Sequence, residues 1–329
     1  MKFSITTLYG IFLLFQFSCL NEAERKNPFD PKSEDFKNES NISGRILTFY
    51  QPFSTLSGAE IQLDPGAFVS KADAEGGFLI RNVPPGEYTI SARKEGFAVD
   101  SDTVTVRLGE TTFIELNLDA LPLIESVSIN SCHISRNFPQ NDLFFLEVAA
   151  TVGDPDGVGD IDLVEIEIPD INYLDTLDVT QTPGAFMKII PESQLPVGNF
   201  LDVLGRQIFL NVLDRPGFKS RSQPKSLARI IERTPLTNSP NQGETLNDTT
   251  PLLEWRSAVL LFDFKYRVEV VRVDFGLNTP AWSQPDINKT NTSIAVSDSL
   301  PSGVYFWTVS VVDTFGNWSR SKEAPFRIN

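Results

Sequence analysis

From residue 41 to the end of the chain, apolar residues recur at every second position instead of at helical spacing. Tyr88, Ile90 and Ala92 fall on one face of Glu87 to Arg93, and Val104, Val106 and Leu108 on one face of the next run. Ile114, Leu116 and Leu118 alternate with Glu115 and Asn117. Such alternation marks a strand with one buried face. Turn signals separate the runs: Glu75-Gly76-Gly77, Pro84-Pro85-Gly86, Glu95-Gly96 and Leu108-Gly109-Glu110. Similar runs return from Leu143 to Ala149, Leu163 to Ile168, Gln207 to Asp214, Phe264 to Val270 and Leu300 to Val309. Short strands at regular spacing predict an all-β chain of three tandem β-sandwiches, over residues 41–119, 122–232 and 233–329.

The first forty residues break the pattern. After Lys2, a greasy run from Leu8 to Phe17 is too short to span a bilayer and has the length of a secretory signal core. Ser18-Cys19 then resembles the lipobox of bacterial lipoproteins, which implies cleavage after residue 18 and acylation of Cys19. Gln16 and Phe17 depart from that pattern, and an ordinary signal peptide cleaved nearby is the other reading. Residues 19–40 are rich in charge and proline and predict a disordered tether carrying the first sandwich away from the membrane. Leu20 stands where enteric lipoproteins retained at the inner membrane carry aspartate, so the resemblance implies lipid anchoring at the outer membrane.

Composition narrows the partners. Asp and Glu number 43 against 28 Lys and Arg, a net charge of −15, which repels phosphate backbones and argues against nucleic acid. One histidine and two cysteines leave too few ligands for a Cys/His zinc site. With Cys19 acylated, Cys132 has no partner within the chain and is either a buried free thiol or half of an intermolecular bridge.

Specific motifs sharpen the three sandwiches. Ile42-Ser43-Gly44-Arg45 and Ser57 to Leu63 are followed by the Asp73-x-x-Gly76-x-Phe78 turn. Val83-Pro84-Pro85-Gly86-Glu87-Tyr88 and Gly96-Phe97 come next. Together these resemble the carboxypeptidase regulatory-like domain over residues 41–119, which implies a non-catalytic, transthyretin-like sandwich. The strand, Asp154-Pro155-Asp156-Gly157 loop and strand of the middle segment is similar to bacterial immunoglobulin-like domains. Leu252 to Trp255, Gly303-x-Tyr305-x-Trp307 and Asp313-x-x-Gly316-Asn317-x-Ser319 resemble a fibronectin type III domain, which implies that Trp255, Tyr305 and Trp307 are buried.

Two kinds of candidate site remain. Read as a calcium loop, residues 154–165 put Asp154, Asp156, Asp160, Asp162 and Glu165 at ligand positions. Calcium, the one candidate cofactor, takes about six to eight oxygens. A solvated turn is the other reading, and Asp202 and Asp214 are acids that the sequence cannot place. Tyr50, Phe53, Trp282, Phe315 and Trp318 are candidate platforms for a sugar face or a protein partner, if they are not core. Catalysis finds little support. Cys132 and His133 in one strand would face opposite ways, and no nucleophile elbow, phosphate loop or zinc-protease motif is present. The sequence thus predicts a non-catalytic cell-envelope lipoprotein that binds an envelope protein or serves as a structural module. Capture of polysaccharide, or service as an accessory subunit of an envelope enzyme, are the alternatives.

Overall fold

The computed structural model describes residues 39–137 and 139–329, together with Lys26, Lys32 and Ser33. The signal segment, Cys19 and most of the tether lie outside the described residues. Among the described residues, helical structure is confined to four short 3-10 turns, and no helix is long and apolar enough to cross a membrane. The chain divides into two compact units at Ala120 and Leu121.

The first unit is a two-sheet sandwich. Asn41–Thr48 lies between Gly77–Ile80, antiparallel, and Thr111–Leu118, parallel. The opposing sheet runs Val69–Lys71, Glu60–Asp64, Gly86–Arg93, Asp100–Val106. Alternation does the sorting: in Glu60–Asp64, Ile61 and Leu63 are buried and their neighbours are exposed. Ile42, Ile46, Ile90, Leu116 and Leu118 complete the centre of the core. Tyr88, Ile90 and Ala92 face inward, as do Val104 and Val106. Leu108 does not: its strand ends at Val106, and it sits exposed in the following turn. Gly44 is required by crowding, since a Cβ there would stand 2.1 Å from Ile114 O. The Asp73 turn is held by Oδ1, which accepts the N–H groups of Glu75 at 3.0 Å and Gly77 at 2.7 Å.

In the second unit the segments expected as separate middle and terminal sandwiches form two hydrophobic cores within one compact body. Val148, Val164, Ile166, Ile190, Leu210 and Val212 centre the first core. Trp255, Tyr266, Tyr305, Trp307, Val309 and Phe326 centre the second. One sheet runs through both. Leu123–Ile134, paired with Leu143–Gly153, lies parallel to Trp318–Arg320, which continues through Gly303–Asp313 and Phe264–Asp274 to Leu277–Asn288. Trp307 is fully buried and its Nε1–H donates to Pro240 O at 2.8 Å.

The connection between the two cores is tied down by its carbonyls. Arg229 O accepts the Ser131 hydroxyl at 2.9 Å, and Arg233 O accepts that of Ser319 at 2.8 Å. Between them, Ile231 O lies 3.1 Å from His133 Nδ1. In an extended segment alternate carbonyls point the same way, so three side chains of the shared sheet seat the linker.

Candidate functional site

The acidic loop of the second unit is built by a short turn between two strands. Leu143–Gly153 ends just before Asp154, whose Oδ1 accepts the Asp156 N–H at 2.8 Å while its carbonyl accepts that of Gly157 at 2.9 Å. Gly157 has φ +114, a conformation that L side chains rarely adopt, and the chain then turns through Val158–Asp160. Asp154, Asp156 and Asp160 each bring a carboxylate oxygen within 4.8 Å of the others.

Asp162 and Glu165, expected in the same loop, are not brought in. The chain becomes strand at Ile161, Asp162 sits exposed at a register shift, and Glu165 lies along the ladder opposite Asn211 and Thr176. Asp214, at the end of the neighbouring strand Phe209–Asp214, comes beside Asp160 instead, because Ile161 pairs with Asp214. A carboxylate oxygen of Asp214 lies within 4.8 Å of one of Asp160. Asp214 Oδ1 accepts the N–H groups of Gly217 at 2.8 Å and Phe218 at 2.6 Å. Asp202 is elsewhere, closing a capping box with Asn199. Burial pushes the Asp154 carboxyl up to about 6; the Asp156 N–H opposes the shift, and the charges of Asp160, Asp156 and Asp214 add to it.

The aromatic candidates divide. Tyr50 and Phe53 are exposed, 36% and 49%, beside an exposed Phe49. They belong to a loop closed at its base by Thr48, whose N–H donates to Ser54 O and whose hydroxyl accepts the Ser54 N–H, both at 2.9 Å. The rings of Phe49 and Tyr50 meet edge to face at 5.1 Å. Phe315 is also exposed, at a hairpin tip of the second unit. Trp282 is a correction: it is core, opposite Val270, with its Nε1–H donated to Ser297 Oγ at 2.9 Å. Trp318 is half-buried, edge to face with Phe145 and beneath the Arg267 guanidinium, so it presents no open face.

Cys132 and His133 occupy adjacent positions of Leu123–Ile134 and engage different partners. Cys132 is a buried free thiol, pushed upward by burial first and by the Glu147 charge second. His133 stacks on Phe144 at 4.1 Å, with Nε2 2.9 Å from Asp142 Oδ2. No nucleophile–base pair arises here.

Comparison with known proteins bears on the first unit. Residues 41–119 match the carboxypeptidase regulatory-like domain. This regulatory-like segment coincides with the sandwich whose glycine and Asp73 turns are described above. No curated protein matches the chain. Among solved structures, a DUF3823 family protein from Parabacteroides merdae is 17% identical, covering 57% of this chain and 98% of that one at TM-score 0.25. The FN1–FN3 domains of chicken CNTN1 are 9% identical over 89% and 96% of the two chains, at TM-score 0.30. The fibronectin(III)-like modules of Clostridium thermocellum CbhA are 12% identical over 63% and 93%, at TM-score 0.29.

Proposed function

We propose that this protein is a non-catalytic binding module of the bacterial cell envelope, held at the outer membrane by a lipid on Cys19. Its regulatory-like sandwich presents Phe49, Tyr50 and Phe53 to a partner. The observation that carries this reading is the aromatic loop. Three exposed rings occupy five successive residues, on a loop whose base is fixed by two hydrogen bonds between Thr48 and Ser54. Exposed large apolar side chains gathered in one place mark interaction surfaces, and a pinned loop loses little entropy when it binds.

Polysaccharide is a second reading, favoured by the chemistry of the same loop. Ring faces stack on the C–H faces of sugars, and Gln51 and the Tyr50 hydroxyl stand beside them as hydrogen-bonding groups.

The test uses the full chain in detergent, on an array of bacterial and plant polysaccharides and in pull-downs from envelope extracts. Binding that is lost in a Tyr50→Ala/Phe53→Ala variant, with unchanged melting, is the expected result. Binding that survives that variant would remove the loop from the function. Anchoring is tested separately by metabolic labelling with an acyl analogue, where a Cys19→Ala variant that still partitions with membranes ends the lipid assignment.

A further inference from the structure

We propose that the 154–160 loop and the turn after Asp214 together hold a calcium ion in the second unit. A cluster of acids at a turn is ordinarily no more than a solvated surface. Asp214 makes this one different. It is 1% exposed, its Oδ1 is taken by the N–H groups of Gly217 and Phe218, and its Oδ2 is buried with no hydrogen-bond partner. A buried carboxylate oxygen without a donor is costly unless a cation completes it. Asp154 repeats the arrangement: Oδ1 accepts the Asp156 N–H, and Oδ2 is buried without a partner. Each carboxylate is therefore oriented by backbone amides on one oxygen and leaves the other available. The backbone of the loop is fixed as well, since the Arg215 N–H donates to Asp160 O at 2.9 Å.

The donors are all carboxylates, which selects a hard cation over zinc or copper. Calcium accepts carboxylates singly or in pairs in irregular coordination and completes its shell with water, whereas magnesium demands a near-ideal octahedron. An ion here ties the start of Ile161–Ile168 to the end of Phe209–Asp214. It fastens one end of a sheet independently of what the aromatic loop binds.

The experiment takes the full chain, stripped with chelator, and titrates it with calcium chloride by calorimetry and by thermal melting. One saturable binding event and a raised melting temperature are expected. No heat and an unchanged midpoint would overturn the site. Asp154→Asn should weaken calcium binding by about tenfold or more. Without metal it should melt at or above the stripped wild type, because one buried charge has gone. That reversal separates loss of a ligand from damage to the fold. Should Asp154→Asn fail to fold, Asp156→Asn at a partly exposed position carries the same test. Wild-type calcium affinity in the variant that folds, or tighter binding of magnesium than of calcium, would refute the assignment.

Discussion

Asn317 Oδ1 accepts the backbone N–H of Ser131 at 2.9 Å, across 186 residues of sequence, and lies 3.1 Å from the Ser131 hydroxyl oxygen, whose proton goes to Arg229 O. Asn317 is itself held by Asp313, whose Oδ1 accepts its N–H at 2.9 Å and whose Oδ2 accepts its Nδ2–H at 3.0 Å. Arg229 closes the network from the linker, 2.9 Å from Asp313 Oδ2. The hairpin that resembles a fibronectin type III feature thus also clasps the strand beneath the other core.

Asn317→Ala is therefore expected to destabilise the second unit by about 1–3 kcal/mol, since the buried Ser131 N–H loses its acceptor while the Ser131 hydroxyl keeps Arg229 O. Urea unfolding followed by tryptophan fluorescence measures this. A loss below about 0.5 kcal/mol, the size of an ordinary surface change, would show that the clasp contributes nothing.

In the first unit the sharpest constraint is steric. Gly44→Ala places a methyl group 2.1 Å from Ile114 O and 2.6 Å from the Phe78 ring. The carbonyl belongs to the parallel neighbour in the sheet and cannot rotate away. A loss of about 3 kcal/mol or more is expected. Hydrogen exchange should place the weakened protection within residues 41–119, and wild-type protection there would contradict the crowding.

Much of this architecture is legible in the sequence because alternation reports directly on which face is buried. Tyr88, Ile90 and Ala92, like Trp255, Tyr305 and Trp307, are buried as their patterns require. Trp282 is misleading because prolines flank it. Leu277–Asn288 is nonetheless a strand at the end of its sheet, where a missing N–H is tolerated, and Pro285 falls at a register shift. Asp162 and Glu165 mislead for the opposite reason: spacing along a loop loses its meaning once the loop has become a strand. The joining of Trp318–Arg320 to Leu123–Ile134, and the meeting of Asp214 with Asp160, depend on pairings between distant segments, which no local pattern encodes.

Cys132 provides a check on burial. Its thiol is enclosed, and burial drives its pKa upward, away from the thiolate form that reacts. At about pH 8, where an exposed cysteine is substantially ionised, the folded protein should leave Cys132 unalkylated for hours. Denaturant should make it react within minutes, as read by peptide mass mapping. Rapid alkylation of the native protein would mean that the shared sheet opens at Leu123–Ile134.

The two units use the same device at the start of a central strand. In Pro84-Pro85-Gly86-Glu87-Tyr88 the tyrosine hydroxyl donates to Pro84 O at 3.0 Å, and in Pro301-Ser302-Gly303-Val304-Tyr305 it donates to Pro301 O at 2.7 Å. A glycine precedes the tyrosine by two residues in both, and a Cβ at Gly86 or Gly303 would meet the tyrosine ring at 3.4 Å, an ordinary contact. Replacing either tyrosine by phenylalanine keeps the ring and removes one hydrogen bond, so each loss should fall near 1 kcal/mol. The two losses should not be equal. Tyr305 is fully buried and makes the shorter bond, whereas Tyr88 keeps 8% of its surface and water can replace part of what is lost. Tyr305→Phe should therefore cost more than Tyr88→Phe when each is measured by denaturant unfolding of its own unit. The reverse order would mean that the ring contacts, and not the hydroxyl, anchor the strand.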